Sequence, residues 1–179
     1  MIGPEQMLVS YTIGAFPIEH IYGLRQKYPK FGVFEWDEET YFWVHGECSG
    51  VFEGEGHLVR IGVHKPEDPS AHWDAPENRA LVCTLDQQIL TATGEWVEAQ
   101  NLEVGQRLQH FCGNGHTAMV DSIDFIGKGR CFGLYGVYFG TVAISGMILK
   151  CERVGAGLGR EDEMKTARSV GLSRWGWGT

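Results

Sequence analysis

The chain has 179 residues, 23 Asp and Glu against 15 Lys and Arg, and a formal net charge of −8. The length suits one domain with a tail and is enough to bury a core. The acids are scattered and no basic run occurs, which argues against nucleic acid as the main partner. The 25 Gly are many, and a turn-rich all-β chain accounts for them. The five Cys (48, 83, 112, 131 and 151) are odd in number and form no CxxC, so the chain reads as mostly reduced. No charged-then-apolar leader and no bilayer-length apolar run is present, which points to a cytosolic or virion protein, with no membrane partner.

In chain order, Met7 to Ser10 predicts a short strand, followed by a turn ending at Gly14. Ile18, Ile21 and Leu24 fall at helical spacing, so a short helix is expected from Pro17 to about Gln26, with Pro in its first turn. Val33 to Trp36 and Thr40 to His45 are β-formers flanking a polar turn, the pattern of a hairpin. "GVFEGEGHLVRIGVH" reads as a second hairpin. Residues 65 to 78, with three Pro, predict a surface loop. Residues 79 to 91 predict one long strand. "MVDSIDFIG" and "RCFGLYGVYFGTVAISGMILKC" supply three or four more, ending at Lys150. From Glu152 onward the chain turns polar and Gly-rich, with helical spacing only at Glu161 to Val170, and reads as a tail.

A faint repeat links "LVSYTIGAFPIEHI" at 8–21 to "ILTATGEWVEAQNL" at 89–102. Each has an apolar pair, a polar turn, Gly, a nearby aromatic and a short helix ending in an aliphatic. Two such units suggest a pseudo-two-fold β fold.

Three blocks, in order, resemble a Hint domain, the fold shared by inteins and hedgehog autoprocessing domains. "GPEQMLVSYTIGAFPIEHI" resembles the intein opening strand, turn and "pIeeL" helix. "LVCTLDQQILTATGEWVEAQNLEVGQRL" resembles the middle block "vTpdHpvlTxdGewvxAxdLxvGDrl". "GRCFGLYGVYFGTVAISGMILKC" resembles the closing blocks "vYdlxVxxxHnFxaxGilvHN". The resemblance spans about residues 2 to 151, without a homing-endonuclease insert. It implies an all-β, pseudo-two-fold horseshoe of β-hairpins with two short helices. Here that unit, 1–151, carries a C-terminal extension, 152–179.

The family's chemistry starts with an acyl shift onto a Cys, Ser or Thr at the first position, because only a thiol or hydroxyl attacks the preceding carbonyl. Counting from Gly14 and Pro17 puts that position at Ile2, whose side chain cannot attack. Only Met1 precedes it here, so no flanking protein to transfer is expected. The middle-block Thr and His polarise the scissile amide and supply a proton. Thr84 keeps the Thr, but Gln87 replaces the His, and an amide does not titrate near neutrality. At the end of the block, Lys150 replaces the penultimate His and Cys151 the Asn that cyclises. Gly133 stands where an acid usually follows the aromatic. Four coordinated replacements point to a fold kept without its reaction, with no cofactor.

Three alternatives remain open. Some inteins use an internal closing-block Cys, and Cys131, with Cys151, would be the nucleophile of such autoprocessing. Cys112 and His116, in "CGNGH", have a spacing that would suit two ligands of one metal, although a Gly-Asn-Gly turn also explains them. A Cys pair on facing strands would form a disulfide under oxidation. Trp36, Phe42 and Trp43 either pack a wide sheet or expose an aromatic patch. Trp175 and Trp177, separated by Gly in the tail, are expected to dock on a protein partner or neighbouring copies. The leading expectation is a non-catalytic structural or assembly protein. By fold-level analogy alone, that extends to a bacteriophage virion component of the tail or neck.

Overall fold

A computed structural model of the chain describes residues 1–40, 42–67, 79–111 and 117–151. Among the described residues twelve strands form three sheets: β1 (Met7–Ser10), β2 (Gly14–Pro17), β3 (Phe31–Asp37), β4 (Phe42–Cys48), β5 (Gly50–His64), β6 (Ala80–Thr84), β7 (Gln88–Leu90), β8 (Trp96–Glu98), β9 (Arg107–Gln109), β10 (Thr117–Tyr135), β11 (Thr141–Ile144) and β12 (Met147–Lys150). The orders are β2-β1-β11-β12-β7-β8, β6-β5-β10-β9 and β3-β4. The one α-helix among the described residues, α1 (Ile18–Gly23), buries Ile18 and Ile21 one turn apart. It is shorter than the spacing predicts. Gly23, a poor helix former, ends it, and isolated turns carry the chain on to Tyr28.

The six-stranded sheet makes the internal repeat visible. β1 and β2 lie on one flank, β7 and β8 on the other, and the hairpin β11–β12 fills the centre, with β1 on β11 and β7 on β12. α1 follows β2, and a single 3₁₀ turn, Ala99–Asn101, follows β8. Each half-unit buries its aliphatics, Leu8 and Ile18 in one, Ile89 and Leu102 in the other, in one shared core.

Three sequence expectations are corrected. Residues 50–64 form no hairpin but one strand, β5, antiparallel to β10 from Gly50 against Tyr135 to His64 against Met119. Gly54 and Gly56 look like turn residues. They are instead places where other side chains come close: a Cβ at Gly54 would lie 2.8 Å from Met1 Cε, and one at Gly56 2.7 Å from Thr84 Cγ2. By the same token "MVDSIDFIG" and "RCFGLY" are one strand, β10, bent by irregularities after Val120 and Phe125. The 79–91 segment does the reverse and divides into β6 and β7 around a turn at Leu85–Asp86.

The β3–β4 hairpin forms as expected, shifted a few residues outward, with Trp36 opposite Trp43. Trp36 is buried and Trp43 half-buried, their rings meeting edge to face at 5.2 Å. Two polar devices fasten this hairpin to the body. The Thr141 hydroxyl accepts the Trp36 N–H at 2.8 Å and donates to the Trp36 carbonyl at 2.9 Å. Glu35, fully buried, accepts the backbone N–H groups of Tyr138 and Phe139, so it pins the loop leading into β11. Much of the 65–78 loop and the whole 152–179 segment lie outside the described residues.

Thr141→Val keeps the volume and removes the hydroxyl, leaving two buried backbone groups of Trp36 without it. The expected loss of stability is about 2 kcal/mol. Urea unfolding measures it, and a change within error would show that the hydroxyl is not what joins β3 to β11.

Candidate functional site

The first three residues insert as a short extra strand between β6 and β10. The Ile2 N–H donates to the Phe132 carbonyl and Phe132 N–H to the Ile2 carbonyl, both at 2.8 Å, while Gly3 N–H donates to Val82. On its other side Ile2 bridges Cys83. Ile2 is therefore a buried core residue. Its neighbour occupies the polar centre: the Met1 amino nitrogen donates to Thr84 Oγ1 at 2.9 Å and to Gln87 Oε1 at 2.7 Å. Counting in from Gly14 and Pro17 pointed to Ile2 as the residue facing these two side chains. The structure places Met1 there, because Ile2 satisfies the β6 and β10 backbones instead. The thioether of Met1, like the butyl group of Ile2, is no acyl acceptor.

Gln87 is buried and uses both ends of its amide. While Oε1 holds the Met1 nitrogen, Nε2 donates to the Lys150 carbonyl at 2.8 Å and to the Gln88 carbonyl at 3.0 Å. One neutral side chain thus ties the start of the chain to the end of β12. Lys150 reaches this centre through its backbone carbonyl. Its ammonium lies over the Trp96 ring, 4.7 Å from the centroid.

Beside these groups is a cavity of about 270 Å³ whose walls include Ile2, Phe52, Phe132, Val142 and Leu149, with Asp86, Gln87, Lys150 and Cys151 as its polar portion. Among the described residues no His lines it. Phe52 covers Gly133, where any Cβ would collide with its ring. The position at which the family resemblance leads one to expect an acid is thus filled by an aromatic from β5. Nothing in the local sequence around Phe52 signals this. The missing side chain at Gly133 was the available clue.

The electrostatics oppose nucleophilic chemistry. Burial pushes the Cys48 and Cys83 thiols up to about 12, and raises Cys131 and, strongly, Cys151. Cys131 is buried, its sulfur 3.8 Å from the Met1 sulfur. Cys48 donates to the Gly50 and Tyr135 carbonyls. Burial also lowers the Met1 amine below the usual range, against the attraction of nearby thiols and Asp86. Asp86 is held low by its hydrogen bond from Thr84, burial opposing this.

Among the described residues no group of three His, Cys, Asp or Glu is placed to hold a metal, and no helix is long and apolar enough to cross a membrane. Cys112, His116, Trp175 and Trp177 lie outside the described residues. So the site brings together Thr84, Gln87, the Lys150 carbonyl, Cys131 and Cys151, and it adds Met1, Phe52 and Gln88.

A segment laid between β6 and β10, meeting the end of β12 through one side chain, can be compared with solved structures. The DnaB intein from Synechocystis sp. PCC 6803 aligns with a TM-score of 0.68 at 15% identity, covering 84% of this chain and 97% of that one. The chain has the Hint fold of inteins. The DnaX mini intein from Spirulina platensis aligns at TM-score 0.63 and 15% identity over 83% of this chain and 98% of its own. A bacterial intein-like domain from Clostridium thermocellum gives 0.59 and 16%, over 83% and 96%. No family model and no curated protein matches the chain. At such identities the likeness concerns the Hint backbone, and the chemistry must be argued from the side chains of this chain.

The raised thiols make stability fall with alkali. In the fold Cys48 and Cys83 stay protonated up to about 12, whereas in the unfolded chain they ionise near 9. Above pH 9 the unfolded state therefore binds fewer protons, and stability drops between about pH 9 and 12, with each thiol contributing a slope of up to ~1.4 kcal/mol per pH unit. Urea unfolding at several alkaline pH values should show a shallower slope for Cys83→Ala than for the parent. Equal slopes would mean that the Cys83 thiol is not shielded as described.

Removing the Gln87 amide tests the tie itself. Gln87→Leu leaves the Lys150 carbonyl and the Met1 nitrogen without it and is expected to cost about 1–3 kcal/mol. Hydrogen exchange should quicken at Ile2 and Gly3 before the β5–β10 amides. Uniform quickening would argue against a local role.

Proposed function

We propose that this chain is a non-catalytic Hint module, a rigid scaffold that acts by docking rather than by cleaving itself. The observation that carries this reading is the Gln87 amide, saturated by Met1, Lys150 and Gln88. An amide in that role can hold two chain segments together but cannot pass a proton between them. Burial raises the surrounding thiols, and among the described residues no imidazole lines the cavity. Docking extends in this proposal to a protein partner or neighbouring copies in an assembly, a phage tail or neck particle included, with Trp175 and Trp177 of the 152–179 segment as the engaging residues.

One observation favours a second reading, autoprocessing at Lys150–Cys151. The Gln87 Nε2–H group points at the carbonyl of that peptide bond, where it would stabilise an oxyanion. In this reading Cys151 Sγ attacks the Lys150 carbonyl carbon, the peptide nitrogen leaves as an amine carrying the thiol proton, and the resulting thioester is open to water or an added nucleophile. The strongly raised Cys151 thiol weighs against it.

Intact-mass analysis of the full chain, incubated near neutral and at mildly alkaline pH with and without hydroxylamine, separates the two. The docking reading expects one unchanged mass. A hydroxamate fragment ending at Lys150, absent in Cys151→Ala, would overturn it and establish the second.

A further inference from the structure

The cavity beside Gln87 is open to solvent and carries a charge with no ion pair. Phe52 and Asp86, which line it, are both exposed, so it is reached from outside. Behind them Ile2, Phe132, Val142 and Leu149 are buried and apolar. Its volume of about 270 Å³ lies near the lower end of ligand pockets, roughly 300 Å³, and suits one large side chain rather than an extended ligand. Among the described residues no Lys or Arg forms an ion pair with Asp86. The Lys150 ammonium is drawn off over Trp96, and the Met1 amine gives its hydrogen bonds to Thr84 and Gln87. The opening therefore fits an apolar side chain with a cation next to it.

The sequence supplies such a pair from a tether at the cavity wall. Cys151 lines the cavity and is anchored by its N–H to the Gly140 carbonyl at 2.9 Å, and residues 152–179 continue from there. The only aromatics of that segment are Trp175 and Trp177, and Arg174 adjoins the first. Trp177 has glycine on both sides and no adjoining cation. Val154 follows Arg153, but its side chain is small for the space. At about 3.3 Å per residue when extended, the stretch 152–174 spans far more than a return to the wall requires. Tethered there, the segment meets its own cavity at a roughly millimolar effective concentration, above that of a second copy in micromolar solution.

We infer that Trp175 of the 152–179 segment occupies the cavity of its own chain, with its indole against Val142 and Leu149 and Arg174 on the Asp86 carboxylate. This goes beyond the docking role proposed above and does not rest on it. A partner that takes up Trp175 has first to displace it from the cavity, so the segment regulates its own availability.

Nuclear Overhauser contacts in the full chain test it, with the indole signals assigned by Trp175→Phe and Trp177→Phe. Contacts from the Trp175 ring to the Val142 and Leu149 methyls are expected at low and high micromolar concentration alike. In a mixture of labelled and unlabelled chains they should stay within one chain. Fluorine spectra of the full chain carrying 5-fluorotryptophan read the docked and released populations of Trp175. Arg174→Glu changes no cavity residue and should raise the released population about threefold or more, because it sets like charges together at the rim. No contact from Trp175 to these methyls, contacts from Trp177 in its place, contacts only between chains, or a released population unchanged by Arg174→Glu would each overturn the inference.

Discussion

The antiparallel pairing of β5 with β10 is the constraint from which the other features follow. It runs without interruption in partner from Gly50 opposite Tyr135 to His64 opposite Met119, and its two irregularities bend the pair rather than end it. β6 pairs with β5 and β9 with β10, so this pair builds the four-stranded sheet by itself. Its glycines face inward where Met1 and Thr84 press close, and the Phe132 backbone offers the rungs on which Ile2 is laid. The start of the chain is placed beside Thr84 and Gln87 because that bed exists. Were β5 and β10 shorter, as the glycines in the sequence imply, Ile2 would have nothing to pair with on that side.

The replaced positions of the Hint pattern fit one another. Gln87 joins Met1 to β12. Gly133 makes room for Phe52. Lys150 contributes a carbonyl inside and lays its ammonium over Trp96 outside. Each is accommodated by a neighbour, so the site is a packed, hydrogen-bonded junction. Burial raises the described thiols above their ordinary range, which disfavours their ionisation.

Legibility differed by scale. The Hint blocks were recognisable because strand, turn and short helix recur in order with glycines at fixed places, and the solved inteins that share the backbone bear out the fold. The β1 strand and the β3–β4 hairpin followed from alternation and β-propensity, which are local. The single strand expected at 79–91 is divided by the Leu85–Asp86 turn, whereas the hairpin expected at 50–64 failed through its glycines. Glycine in a turn and glycine under a packed side chain look the same in sequence, and only the partner distinguishes them.

By itself the sequence determined the fold class, the β1 strand, the β3–β4 hairpin and the types of residue available near the middle block, because periodicity and composition act over a few residues. It showed that Gln87 cannot titrate and that Gly133 carries no acid. Only the tertiary structure decided that Met1 rather than Ile2 meets Thr84 and Gln87, that Lys150 takes part through its carbonyl, and that Phe52 fills the space over Gly133. Each of these depends on atoms brought together from residues far apart in the chain. Such proximity is set by which backbone groups remain to be paired after the long strands have formed, and no local pattern records it.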